Sequence, residues 1–209
     1  MLRENPFANL ELVKLEERPI RVLSADEIKK LLRACAENCE LDLYVRIGIE
    51  TGCRADEISH IEWDKLDLKE GIGEIVCSEQ WRTKARRNKI IAVSEDTLQR
   101  LKSWRSQREG KRYVFAEEGE MLRAHYHHIA KLFDDAVKQA EIAHCSLHDL
   151  RRTLGSRMAA AGINQRVAAE VLGHSDMRTT AKFYQTVNGE TIREVIRKLS
   201  PTATDGRKN

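Results

Sequence analysis

With 209 residues, 41% of them hydrophobic, the chain has enough apolar content for one buried core and too little length for two full-sized ones. No stretch approaches the roughly 18 consecutive apolar residues of a membrane span, Met1 to Leu10 lacks a basic segment followed by an apolar one, and the five cysteines are odd in number and scattered, which excludes a disulfide scaffold; a soluble, cytoplasmic protein with reduced thiols is expected. The net charge of +3 is too small to imply nucleic acid by itself, so the placement of the charges matters more than their sum.

Residues 1 to 21 show no convincing period and read as a linker or arm ahead of a single domain over residues 22 to 200. Ser24 with Glu27 three positions later forms a capping-box signature, and Ile28, Leu31, Leu32 and Cys35 then recur at helical spacing. A second helix is expected from about Leu41 to Glu50, ended by Gly52, with Arg54 in a turn before a further short helix. From Leu66 the pattern changes to strand formers, Leu66, Leu68, Ile72, Ile75 and Val76, then Ile90, Ile91 and Val93, broken by Glu70-Gly71 and by a strongly basic connection from Arg82 to Lys89. The rest reads as helical: about 94 to 108 after a Ser94 cap, 123 to 140, 148 to 161, 164 to 172, 176 to 185 and 190 to 199, before a disordered tail at 201 to 209. The expected fold is α+β, mainly α-helical with a small three-stranded antiparallel sheet.

The charges are segregated. Residues 1 to 80 hold 11 Lys/Arg against 18 Asp/Glu, a balance of −7, whereas residues 82 to 112 hold 11 against 3, a balance of +8. Such a block attracts phosphate locally while the molecule stays nearly neutral, although a solvated charged face would show the same count.

His148-Asp149-Leu150-Arg151 places an imidazole and a guanidinium three residues apart on one helical face, where both can converge on one ligand. Arginine offers a rigid fork of donors matched to phosphate oxygens and stays charged at every relevant pH. Around this segment lie Thr51-Gly52-Cys53-Arg54 upstream and Leu172-Gly173-His174-Ser175 downstream, with Tyr184 ten residues beyond His174. In this order, with a lysine in a basic hairpin between the first and second motifs, the set resembles the tyrosine recombinases of the phage-integrase family, over about Leu23 to Leu199.

The resemblance implies a tyrosine recombinase catalytic-domain fold and site-specific DNA recombination through a 3′-phosphotyrosyl intermediate. Tyr184 would be the nucleophile. A phenol is a poor nucleophile at its free pKa near 10, so a neighbour must take its proton, and His148 is the candidate. Arg54 and Arg151 would stabilise the charge that builds on the non-bridging phosphate oxygens, with His174 adding a hydrogen bond. Lys84 resembles the family's hairpin lysine, the general acid for the departing 5′-oxygen, and Arg82, Arg86, Arg87 and Lys89 read as DNA-backbone contacts. No metal or other cofactor is expected, because the guanidiniums, ammonium and imidazoles already supply positive charge; His125, His127 and His128 lack a carboxylate or cysteine at ligand spacing.

Two departures from the family pattern stand out. Asp56 occupies a position where serine is common and could orient a nearby arginine, and Arg152 stands where a second histidine often follows. Nothing in residues 1 to 21 can form the family's N-terminal core-binding domain, so a catalytic fragment or a short member is expected, monomeric alone and tetrameric on double-stranded DNA. The helix at 190 to 199 resembles the family's tail segment that docks on a neighbouring protomer. Type IB topoisomerase-like nicking and resealing, and a non-catalytic DNA-binding regulator, are the alternative readings.

Overall fold

The computed structural model describes residues 20–78, 81–115, 122–174 and 177–184, the side chains of residues 122–124, 177, 182 and 184 excepted. The expected arm up to residue 19, the tail, the helix at 190 to 199 and the side chain of Tyr184 therefore lie outside the described residues. The described residues form eight α-helices, one short 3-10 helix (Trp63–Lys65) and one three-stranded sheet. Among the described residues no helix is long and apolar enough to cross a membrane.

Helix α1 (Ala25–Cys35) begins at the anticipated capping box: Glu27 N–H donates to Ser24 Oγ, and Ser24 N–H donates to Glu27 Oε2. Its buried stripe of Ile28, Leu31 and Cys35 packs on α2 (Cys39–Thr51). Helix α2 is central, with nine of its thirteen residues buried, and it lies closely against α6 (Leu147–Ala160). Gly48 permits that approach, since a Cβ there would sit 3.1 Å from Leu150 Cδ1. The helix ends at Gly52 in the left-handed conformation, at φ 59°, where a Cβ would also come within 2.7 Å of Leu172 Cδ2. The chain then turns into α3 (Ala55–Ser59), with Arg54 at its N-cap.

Strands β1 (Leu66–Asp67), β2 (Ile72–Ile75) and β3 (Lys89–Ala92) form an antiparallel meander in sequence order, turned first at Gly71. The β2–β3 register pairs Gly73 with Ile91 and Ile75 with Lys89, all four buried, while Ile72, Glu74 and Ile90 face outward. Here the structure corrects the sequence reading at one end of the basic connection. Lys89 is the first residue of β3, two positions before the buried Ile91, and strand alternation turns its side chain inward.

The remaining helices are α4 (Glu95–Gln107), α5 (Leu122–Gln139), α7 (Gln165–Leu172) and α8 (Met177–Tyr184). Ser94 caps α4 by accepting from Thr97 N–H, and Ile129, Phe133, Ala136 and Val137 carry the buried face of α5. Helix α7 ends at Gly173, again left-handed, at φ 63°. Helix α8 packs on α6 and α7. At that crossing a Cβ on Gly155 would lie 2.8 Å from Phe183 Cε2, so a glycine lets the Phe183 ring rest on α6, directly before Tyr184.

Candidate active site

Three chain reversals converge on one region: the α2–α3 turn carrying Arg54, the start of α6 carrying His148 and Arg151, and the end of α7 carrying His174. Arg151 is 2% exposed, and its Nη1 donates to the Gly52 carbonyl oxygen at 2.6 Å, which locks it to the turn two residues before Arg54. Its Nη2 is buried with no hydrogen-bond partner among the described residues. Burial, and secondarily the Arg54 guanidinium, bring the Arg151 pKa down to about 10, so it stays charged in neutral solution.

Arg54 is held by Glu57, three residues on and 3% exposed. Arg54 Nη1 donates to Glu57 Oε1 at 2.7 Å, and Arg54 N–H donates to Oε2 at 3.0 Å. Lys89 arrives beside them from β3. Its Nζ donates to the Thr51 carbonyl oxygen at 3.2 Å and lies 3.8 Å from Glu57 Oε2. One buried carboxylate thus serves two cations, which offsets the cost of gathering like charges around one space.

His174 is half-buried, and its Nδ1 lies 2.7 Å from Oγ1 of the fully buried Thr180 on α8. Burial first, then the charges of Arg151, Arg54 and Lys89, press its pKa down to about 4. His148 sits at the open edge of the site. Partial burial and then the guanidiniums of Arg152, Arg151 and Arg54 lower its pKa below the ordinary histidine value, against the opposing carboxylate of Asp149. Both imidazoles are therefore neutral at pH 7. Asp149 is itself occupied: it accepts from Ser146 N–H and Oγ at 2.8 Å and from Arg152 Nη1 at 2.9 Å. Arg152, one of the two expected departures, is thus tied to the α6 cap.

The sequence-predicted residues fall into two groups. Arg54, His148, Arg151 and His174 come together. Lys84 does not: it is exposed in the β2–β3 connection and makes no hydrogen bond or ion pair to another described residue. Arg82 and Arg86 are exposed in the same connection, Arg86 with φ 55°, and Arg87 pairs with Glu170 of α7 at 3.2 Å. Lys89, read as a backbone contact, is buried, with its ammonium turned to the Thr51 carbonyl and Glu57.

Glu57, Thr180 and the inward role of Lys89 escaped the sequence reading. An i, i+3 carboxylate after Arg54 and the two-residue offset between Lys89 and Ile91 were signals for two of them. Asp56, expected to orient an arginine, accepts from Trp81 Nε1 at 2.8 Å, and Glu57 takes the arginine. No group of three or more His, Cys, Asp or Glu side chains able to hold a metal occurs among the described residues. His125 is buried against Glu40, with Nε2 3.0 Å from Oε1, whereas His127 and His128 are exposed.

Comparison with known proteins assigns the family and the fold. The model of the phage integrase family matches residues 21–190, and the chain belongs to that family, the tyrosine recombinases. The tyrosine recombinase XerD of Rickettsia bellii is 26% identical over 195 residues, covering 84% of this chain and 63% of that protein. XerC of Pelotomaculum thermopropionicum is 26% identical over 216 residues, covering 95% and 68%. Among solved structures, XerA recombinase superposes with a TM-score of 0.69 at 25% identity, over 93% of this chain and 68% of that one. The Tn1549 transposon integrase, solved in complex with transposon right end DNA, superposes with a TM-score of 0.74 at 19% identity, over 95% and 72%. The chain spans between about half and about two-thirds of the length of the curated relatives it matches.

Proposed function

We propose that this chain is the catalytic domain of a site-specific recombinase that cleaves and rejoins double-stranded DNA through Tyr184. The observation that carries the reading is the meeting of Arg54, Arg151, His148 and His174 around one space, with a buried Arg151 Nη2 left for a ligand. An unsatisfied buried N–H costs roughly 1–3 kcal/mol, and a non-bridging phosphate oxygen is the partner a guanidinium fork suits best.

In the proposed step the Tyr184 phenolic oxygen attacks the scissile phosphorus and the P–O5′ bond breaks. The phenolic proton passes to neutral His148. Negative charge building on the non-bridging oxygens falls on Arg54 and Arg151, already fixed by Glu57 and Gly52, so little reorganisation is needed. With Nδ1 facing the Thr180 hydroxyl, His174 keeps Nε2–H as its donor toward the same phosphate. Lys84 donates a proton to O5′, its turn settling toward the site when DNA is bound, and Arg82, Arg86 and Arg87 meet the DNA backbone. The 3′-phosphotyrosyl bond conserves the energy of the strand break for rejoining to a second strand. Positive side chains supply the charge neutralisation, so the reaction proceeds without metal, in a tetramer assembled on DNA from monomers.

A nicked suicide substrate, which loses its short 5′ product by diffusion, tests the reading. In EDTA the wild-type chain accumulates a covalent DNA adduct, and Tyr184→Phe gives none. Absence of an adduct, or equal amounts from both proteins, contradicts the enzyme reading in favour of a non-catalytic binder. Exchange between two differently labelled duplexes separates recombination from topoisomerase-like resealing of one strand.

A further inference from the structure

The connection that carries Lys84 is fastened to α3 by a clip built from Trp81, His60 and Asp56. Trp81 Nε1 donates to Asp56 Oδ2 at 2.8 Å. The indole lies flat on the His60 ring, with centroids 3.7 Å apart and planes 14° apart. His60 is 7% exposed, and its Nδ1 is 2.7 Å from the Asp56 carbonyl oxygen, so the ring under the indole is itself fixed. On the hairpin side, Trp81 is bonded to Ser78: Ser78 N–H donates to the Trp81 carbonyl at 2.7 Å, and Trp81 N–H donates to Ser78 Oγ at 3.0 Å.

From this anchor the chain runs two residues to the buried Thr83. Its hydroxyl donates to the Arg87 carbonyl at 2.7 Å and its carbonyl accepts from Arg86 N–H at 2.8 Å, forming the turn from which Lys84 projects. Asn88 ties the far end of the connection to Cys77 and Glu74, and the Arg87–Glu170 pair links it to α7, but that pair is exposed on both sides, weakened by salt and open to competition from DNA phosphate. The clip has a different character: it is stacked, hydrogen-bonded to a carboxylate and attached to the helix whose N-cap is Arg54. Three residues of chain reach at most about 10 Å, so the clip confines Lys84 to a small arc relative to Arg54.

We infer that Trp81 is a positioning residue for Lys84, holding the lysine-bearing turn in register with the Arg54 end of the site through Asp56 and His60. The inference rests on the reading of Lys84 as the group that protonates the departing O5′.

The test compares single-turnover cleavage of two substrates, one with oxygen and one with sulfur at the scissile 5′ bridge. A thiolate leaves without a proton, so sulfur removes the need for the acid and leaves every other contact in place. Lys84→Ala is expected to slow the oxygen substrate and to recover with sulfur. Trp81→Phe, which keeps a stacking ring and loses the N–H, and Asp56→Ala, which removes the same bond from the α3 side, are expected to slow the oxygen substrate between about 10- and 100-fold. Sulfur should bring both to within about twofold of wild type. Asp56→Asn retains an acceptor oxygen and should cleave the oxygen substrate near the wild-type rate. Recovery of Lys84→Ala with no recovery of the Trp81 and Asp56 variants overturns the positioning role, as do wild-type rates for both on oxygen. Failure of sulfur to restore Lys84→Ala contradicts the acid role of Lys84 itself, and the clip's role falls with it.

Discussion

Glu57 grips Arg54 at both ends, taking the guanidinium at 2.7 Å and the backbone N–H at 3.0 Å, while its second oxygen faces the buried ammonium of Lys89. An arginine held this way meets a phosphate with its direction already set. Glu57→Gln keeps the shape and removes the charge, so it should slow single-turnover cleavage by roughly 10- to 100-fold, the usual cost of removing a partner behind a reacting group. Its thermal midpoint should also fall, because Arg54 and Lys89 then face each other without a counter-charge. Cleavage at the wild-type rate would mean that Arg54 needs no such support.

Thr180 holds His174 across the gap between α8 and α7. Thr180→Val keeps the volume and loses the hydroxyl, leaving the imidazole free to turn and to exchange tautomers. Adduct formation should fall about tenfold, by the same reasoning that applies to groups orienting a catalytic histidine. Thr180→Ser should restore most of it. Both rates are read from the time course of adduct formation on the suicide substrate.

The depressed histidines fix the pH dependence. His148 titrates below its usual 6.5, and His174 at about 4, both first because of burial. With trace DNA, the second-order rate of adduct formation reports the free enzyme, so its acid limb should lie below pH 6.5 and vanish in His148→Asn. Stability follows the same sign. Between pH 6.5 and about 4 the unfolded chain binds protons that the folded one excludes, so the melting temperature should drop as pH falls through this window. His174→Gln should flatten that drop. Glu27, held at about 2 chiefly by Arg21, acts lower: its contribution is present above 4.5 and is lost from there toward 2.

Gly155 is the contact point for Phe183, and any side chain there must displace the Phe183 ring that seats α8 on α6. Gly155→Ala should leave the circular dichroism spectrum native while lowering adduct formation at least tenfold, since a displacement near 1 Å of the segment ending in Tyr184 is enough to spoil an in-line attack. Trimming the ring with Phe183→Leu in the same chain should recover part of the loss. If Gly155→Ala cleaves normally, α8 packing does not set the position of Tyr184.

Much of this was legible in the sequence because the signals were local. The Ser24–Glu27 cap, the Gly52 helix end and the turn at Glu70-Gly71 each follow from a few adjacent residues, and the structure contains all of them. The convergence of Arg54, His148, Arg151 and His174 came from ordered motifs resembling a family, since no spacing in the chain reveals that Gly52 O would meet Arg151. What the motifs concealed was the supporting layer. Glu57 and Asp56 are neighbours of the same charge on a five-residue helix, and only the burial of one and the approach of Trp81 to the other decides which holds the arginine. Lys89 was grouped with its basic neighbours, and strand register separates it from them.

In the proposed reaction Tyr184 becomes bonded to DNA at the space framed by the two guanidiniums. Proteolysis of the adduct formed on a suicide substrate in EDTA, followed by mass spectrometry of the nucleotide-bearing peptide, tests it directly. The added nucleotide 3′-phosphate is expected on Tyr184, and the released strand is expected to carry a free 5′-hydroxyl. A phosphate on any other side chain, or a 5′-linked adduct, would contradict it.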